Sequence, residues 1–340
     1  ALLLAGGGRA QRTSRTAQTA RCRMQPGAAH GWCGLPFELS NFQGNFECNN
    51  DVRIGRPENE EEMAAMVAAA DKVHAVGVGH SWRRGVFCPS EDDSGVGVVM
   101  TELPELRQPL PIADVNSNFL NPQGDGVAFA PEFPANYPIW VDEEERSVTV
   151  AAGVTQRTLL DYLATYSGPD DRNNGRGWTL PGFSWFIDQT IGGAVATGTH
   201  GSSLEYGSLS SGVLEFRVLM ANGTAVDLTP ESHPHLMRAM RVSVGRLGVI
   251  TQLKMRIIPQ QAVRRTTETI SWDATVGRLR AAQDAYNAAE AAGDAEGRKR
   301  ALAPLQDTQL QWWPPLGETW WASYEHLADA EAYRLGGAFQ

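Results

Sequence analysis

What the chain lacks narrows its function first. No uninterrupted apolar run among its 340 residues approaches the roughly 20 needed to cross a bilayer, so no stable membrane span is expected. Basic residues are outnumbered, 29 Lys and Arg against 39 Asp and Glu, for a net charge of −10. That balance argues against nucleic acid, whose phosphates demand a basic face. Only Cys22, Cys33, Cys48 and Cys88 represent cysteine. None stands in a C-x-x-C pair, which removes the usual zinc cluster. H-E-x-x-H and G-x-S-x-G strings are absent, and with them the common zinc-protease and serine-hydrolase signatures. With 42% hydrophobic residues, the chain has enough apolar material for one large core or two modest ones. A soluble, mildly acidic enzyme is the expectation.

Acid is also missing from Ala1 to Phe37, which holds Arg9, Arg12, Arg15, Arg21 and Arg23 among Ser, Thr and Ala. That pattern suits an organelle transit peptide. Leu2 to Leu4 as the tail of a secretory signal is the alternative, and an unstructured extension is a third. Localisation stays open between an organelle and export, and residues 1–47 are set apart as a leader. Cys33 and Cys48 flank GLPFELSNFQGNFE and would form a disulfide if the protein is exported; reduced buried thiols are the other reading. His74, His233 and His235 read as surface or packing histidines.

What the chain has is glycine in two telling places. Residues 76–81 read VGVGHS, and residues 190–203 read TIGGAVATGTHGSS. Glycine lets the backbone approach a bulky ligand closely, and clustered backbone N–H groups form concave anion sites. The first turn follows an expected strand, Val73 to Val76, and ends at His80. It is not a dinucleotide fingerprint of the doubly wound type, because Trp82 fills the third small-residue position after Gly77 and Gly79. No Gly-Lys-Ser/Thr follows it either.

Along the rest of the chain, Pro57 opens a helix with Met63, Met66, Val67 and Ala70 at helical spacing. Residues 104–141 carry seven prolines between Pro104 and Pro138, a density that no helix or central strand survives; they read as an insertion. Val148 and Val150 mark a strand ending at Gly153, and Thr155 caps a helix with Leu159, Leu163 and Tyr166 on one face. Val213–Met220 and Thr224–Leu228 form a hairpin through Asn222-Gly223. Val249, Leu253, Met255 and Ile257 alternate in a half-buried strand. Residues 263–272 form a further strand. Asp273 then caps a long helical stretch to about Ala303, weakened at Gly293 and Gly297. Aromatic pairs follow at Trp312-Trp313 and Trp320-Trp321.

The segments VGVGHSW (76–82), VTVAAGVTQRTLLDYL (148–163), TIGGAVATGTHGSSLEYGSLS (190–210), VLEFRVLMANG (213–223) and VGRLGVITQLKMRIIP (244–259) fall in one family's order. On them the chain resembles the vanillyl-alcohol-oxidase-type (PCMH-type) FAD superfamily, and most of all its sugar-1,4-lactone and alditol oxidase branch. The resemblance implies an α+β fold: a two-lobed FAD-binding domain over 48–262, split by the 104–141 insertion, then the start of a substrate cap over 263–340 that looks truncated.

The same resemblance implies FAD bonded covalently through His80 to its 8α-methyl carbon. Gly77, Val78, Gly79 and Ser81 would face the pyrophosphate. Gly192, Gly193, Thr197, Gly198, His200, Gly201 and Ser202 would lie along the ring and ribityl chain, while Gly153, Gly248, Val249 and Ile250 would close the nucleotide end. For His200 a packed histidine bonded to backbone is the rival. The implied reaction takes hydride from a CH–OH group of a sugar lactone or polyol to flavin N5, with molecular oxygen as acceptor and hydrogen peroxide as product. No catalytic base can be named, and Glu325 and His326 are only the ionisable residues in the surviving cap fragment. A cytokinin-type or aromatic-alcohol branch, and a noncatalytic flavin-binding remnant, are the alternatives.

Overall fold

The computed structural model describes residues 32–33, 41–45, 47–48, 53–55, 57, 60–88, 96–99, 139–166, 177–184 and 186–328. The architecture is α+β. A four-stranded sheet comes first, in the order β1-β2-β4-β3. It is built from β1 (Trp32–Cys33), β2 (Arg53–Gly55), β3 (Val73–Val76) and β4 (Val96–Val99). β3 and β2 run parallel to β4, and β1 pairs antiparallel with β2. The expected strand at 73–76 is therefore present in full. The helix expected from Pro57 spans Glu60–Ala68 and buries Met63, Met66 and Val67; Ala70 lies beyond its end.

A five-stranded antiparallel sheet carries most of the core. Its order is β5-β6-β10-β8-β9, with β5 at Ile139–Asp142 and β6 at Ser147–Ala151. A two-residue strand β7 (Trp178–Thr179) precedes β8 (Val213–Leu219), β9 (Ala225–Leu228), β10 (Val249–Arg256) and β11 (Ile258–Pro259). β7 pairs with β11. Val148, Val150, Leu159, Leu163, Phe216, Val218 and Leu253 are at most 1% exposed. Each such side chain contributes about 1.5–3 kcal/mol through burial. The Asn222-Gly223 hairpin forms as expected, with Thr224 N–H donating to Asn222 Oδ1 at 3.0 Å. β5 overlaps the end of the proline-rich stretch but sits at the sheet edge, where a central strand's ladder is not required; residues 104–138 lie outside the described residues.

Two connections bring the sheets together. Glu60, at the start of the first helix, receives a bidentate guanidinium contact from Arg217 on β8 (2.8 and 2.9 Å) and a hydrogen bond from Thr251 on β10 (3.2 Å). Ala64 and Ala68 lie so close to the β8–β9 turn that a Cβ on Gly223 would sit 3.2 Å from Ala64 O. The helix leading into β3 is thereby fixed against the second sheet.

Past β11 the pattern changes. β12 (Val263–Ser271) pairs with β14 (Glu318–His326), which pairs with β13 (Thr308–Trp313), all antiparallel. The long helical stretch is not continuous. Ser271, not Asp273, caps the helix Trp272–Ala291, its side chain accepting from Ala274 N–H. Gly293 (φ +68°) ends that helix, and Asp294 caps a second one over Ala295–Leu302. A strand-terminal serine one residue before the turn competes better for the free N–H groups than an acid already inside it.

Candidate functional site

The second glycine-rich segment is built onto the end of β6. Thr155 caps the helix Gln156–Thr165, as expected. Residues 187–192 then run back along it, through Arg157 N–H to Ile187 O, Gln156 N–H to Gln189 O, Ile191 N–H to Val154 O and Gly192 N–H to Ala152 O, all 2.7–2.9 Å. Thr190 caps a short helix, Ile191–Ala196, accepting from Gly193 N–H. Because β6 and β10 are antiparallel, with Gln252 opposite Ala151, the start of β10 arrives at the same place. Gly248 and Ile250 thus stand beside Ala152.

The first glycine-rich turn meets this segment directly. A Cβ on Gly77 would lie 2.3 Å from Thr190 Oγ1, so only glycine permits the approach. Gly79 holds φ +75°, which returns the chain toward His80. The two turns, about 110 residues apart in sequence, share a cleft of about 450 Å³, a size typical of small-molecule and cofactor sites. Gly77, Val78, Gly79, His80, Ser81, Gly192, Gly193, Thr197, Gly248 and Ile250 line it, all of them expected from sequence.

The remaining expected residues lie outside the lining. His200 is exposed, its Nδ1 2.8 Å from Gly201 O, in keeping with the backbone-bonded alternative. Gly201 faces the 182–183 turn, where a Cβ would meet Phe183 O at 2.5 Å. Gly198 abuts Val242. Ser202 is exposed, and the Val249 side chain is buried in the core cluster. Gly153 lies at the turn after β6 without reaching the cleft wall.

The cleft also holds residues that the sequence did not mark, among them His74, Trp82, Arg83, Gln189, Thr199 and Val244. Gln189 Oε1 accepts from Gln156 Nε2 and Thr199 Oγ1 (3.1 and 3.2 Å), bracing the wall between helix and turn. Val244, a β-branched residue at φ +53°, bends the chain into the lining. A valine in that region is a genuine outlier, and no pattern in the sequence announces it. His74 packs under Gly245, whose Cβ would be 2.8 Å from its Cε1. Burial holds its imidazole below the usual 6.5 and Arg246 pushes the same way, against a bond with the Val86 backbone. It is a neutral packing histidine, as expected, and a cleft residue as well.

Among the described lining residues the ionisable side chains are His74, His80 and Arg83, with no carboxylate. In a chain of net charge −10, such a cleft is a local refuge for an anion. Backbone-rich walls, apolar faces from Val86, Phe87 and Trp82, and the absence of acid fit a flat ring system carrying a pyrophosphate, as FAD does. Glu325 and His326, at the end of β14, engage Arg264 and Asp307 (3.0 and 3.3 Å) and do not line the cleft. Cys48 is bonded to Cys88, not to Cys33, because the chain after the first glycine turn returns to the 41–48 segment.

A family model described as an FAD binding domain matches residues 115–229, which take in the second glycine-rich segment but not the turn bearing His80. D-arabinono-1,4-lactone oxidase of Eremothecium gossypii is 28% identical over 243 residues, 70% of this chain and 37% of that protein. L-gulonolactone oxidase of Bos taurus is 31% identical over 132 residues, 39% of this chain and 28% of that protein. D-arabinono-1,4-lactone oxidase of Saccharomyces cerevisiae is 27% identical over 126 residues, 37% and 22% of the two chains. The chain spans well under half the length of these relatives. Cleft, fold and likeness point the same way: part of the chain matches an FAD-binding domain, and the chain is similar to PCMH-type FAD oxidoreductases of the sugar-lactone oxidase kind.

Proposed function

We propose that the chain is the flavin-binding portion of an FAD-dependent oxidoreductase that oxidises a CH–OH group of a sugar lactone or alditol. One observation carries this reading: two glycine-rich turns far apart in sequence meet in one cleft, with His80 in its wall and no carboxylate among its described lining residues. On this reading the two sheets are the two lobes of a domain over 48–262, to which the strand at 32–33 and residues 41–45 are joined, and β12 opens a substrate cap over 263–340. The names of the relatives support a lactone as substrate.

The residues divide the work by place. Gly77, Val78, Gly79 and Ser81 present main chain to a pyrophosphate. Gly192, Gly193 and Thr197 form the opposite wall, which a flat ring requires to be free of bulky side chains. Arg83 adds positive charge at the rim, and neutral His74 holds the 244–245 turn without adding a buried charge. Bound FAD would supply the two-electron acceptor for the substrate's hydride, with oxygen next in line. His80 would be the residue that holds FAD covalently, through a nitrogen of its imidazole. The Cys48–Cys88 bridge supports an oxidising compartment, hence export over an organelle matrix.

The test is anaerobic. Protein loaded with FAD is mixed with D-arabinono-1,4-lactone, L-gulono-1,4-lactone, alditols and aromatic alcohols while the flavin band is followed. Bleaching by a lactone or alditol is expected. Bleaching by aromatic alcohols alone moves the protein to another substrate branch. FAD retention without bleaching makes it a binding remnant, and failure to retain FAD overturns the proposal altogether.

A further inference from the structure

The segment Asn41–Cys48 is absorbed neither by the core cluster nor by the cleft lining, yet the structure gives it several contacts with the His80 turn. Phe42 N–H donates to Gly79 O at 2.7 Å. Asn41 Nδ2 donates to Ser81 O at 3.1 Å, so the carbonyls on either side of His80 are both held. The Phe42 ring lies against the His80 imidazole, centroids 4.5 Å apart and planes 16° from parallel. Trp82 meets the same phenyl ring edge-on at 5.6 Å.

The segment is itself stiff. Asn41 is 3% exposed; its Oδ1 accepts from Asn45 N–H and its carbonyl from Gly44 N–H, closing a tight turn. Cys48 and Cys88, both at most 4% exposed, bond its far end to the residue after the helix Arg84–Phe87. Phe87 in turn supports Gly79, where a Cβ would lie 3.3 Å from its ring. The turn is thus gripped from both ends. Its imidazole has two torsions to fix: backbone contacts settle where the ring is rooted, and a neighbouring plane constrains how the ring is turned. Phe42 supplies that plane.

We propose that Phe42 is a positioning residue: it sets the orientation of the His80 ring toward the cofactor, on a strap anchored by the Cys48–Cys88 bridge. The inference rests on the flavin reading above but concerns a residue that does not line the cleft. A stacked phenyl ring leaves a signature that does not depend on flavin, because its ring current shifts the His80 ring protons upfield.

The experiment compares wild type with Phe42→Ala, Phe42→Leu, Phe42→Trp and His80→Ala. His80→Ala assigns the His80 resonances in NMR spectra of the protein without flavin, and thermal unfolding confirms that each variant is folded. Acid-stable flavin fluorescence is then followed over time after FAD is added. The His80 ring protons should move downfield in Phe42→Ala and Phe42→Leu but stay near their wild-type position in Phe42→Trp. Acid-stable flavin should accumulate about 10- to 100-fold more slowly in the first two, the scale of loss for a misplaced reacting group, and near the wild-type rate in Phe42→Trp.

Unmoved His80 resonances in Phe42→Ala overturn the inference. So does a Phe42→Leu variant that matches Phe42→Trp, since bulk and not a facing plane would then suffice. If His80→Ala still acquires acid-stable flavin, or wild type acquires none, the covalent reading fails instead. The ring-proton shifts then decide the role of Phe42 alone.

Discussion

β10 and β12 are long strands close together in the chain, of eight and nine residues, and their burial is opposite. β10 runs between β6 and β8, and its Val249, Ile250, Thr251, Leu253 and Met255 are buried. Among the described residues β12 pairs on one edge only, and none of its nine residues is buried. The helix that follows β12 buries Thr275 alone, while Trp312 and Trp313 on β13 remain 51% and 54% exposed. Backbone pairing makes a strand, but burial needs a second layer. The sheet around the cleft has an extensive one, and the turns of the site are packed onto it. The sheet after β11 buries Thr319, Trp321 and Ala322 of its middle strand, and otherwise relies on its ladders and on solvent-facing pairs such as Arg278–Glu268, which contribute little in high dielectric.

The largest expected effect tests that contrast head on. Phe216→Ala, in the centre of the core, should cost about 3–5 kcal/mol in urea unfolding, whereas Trp312→Ala should stay within about 1 kcal/mol. Equal costs would mean that the two regions are packed alike. Next comes the tie across the glycine turn. Cys48→Ser should lower stability by about 2–4 kcal/mol, from the loop of forty residues it opens, and a thiol count in the unfolded protein would rise accordingly.

Gly77→Ala forces a methyl group against Thr190 and should cost about 1–3 kcal/mol. Thr190→Ala should cost about 1 kcal/mol through the lost cap. Combined, they should cost less than their sum, because the hydroxyl that clashes is gone. Strict additivity would show that the turns do not touch.

A pH effect of smaller size follows from His74. Its folded value lies below 6.5, so between the two values the unfolded chain binds a proton that the folded chain refuses. Stability is therefore full above about pH 6.5, is lost as pH falls from there to the folded value, and is flat below it. His74→Gln should remove that slope from a denaturation series without altering the trend from other groups. Smallest of all, Glu60→Gln should cost about 0.5–1 kcal/mol, diminished by salt, because Glu60 and Arg217 are each about a third exposed. The Glu60 bond, followed by that of Asp227, holds the Arg217 guanidinium even further above its ordinary value, so no pH dependence is expected from Arg217 itself.

Much of this was legible in the chain. The strand at 73–76, the Thr155 cap, the Asn222-Gly223 hairpin and the alternation in β10 are local matters, decided by residues within one element. Ten of the sixteen residues expected to touch a cofactor line the cleft, because glycine spacing marks where backbone must come close. His200, Gly201 and Ser202 carry the same glycine-rich look, yet the chain has already turned toward the 182–183 loop by then. Asp273 resembles a cap, but Ser271 reaches the free N–H first. Val244 carries no hint in its own identity of the backbone angle it adopts.

By itself, then, the sequence determined the local elements, the acid-poor character of the residues beside the glycines, and the likeness to FAD-binding proteins. Tertiary structure alone decided that Cys48 is bonded to Cys88, that His74 and Gln189 join the wall, and that an aromatic ring from residues 41–45 comes to rest on His80. The physical reason is distance: propensity, capping and turn chemistry act over a few neighbours, whereas a cleft is made where antiparallel strands and a returning loop bring together residues separated by forty to two hundred positions.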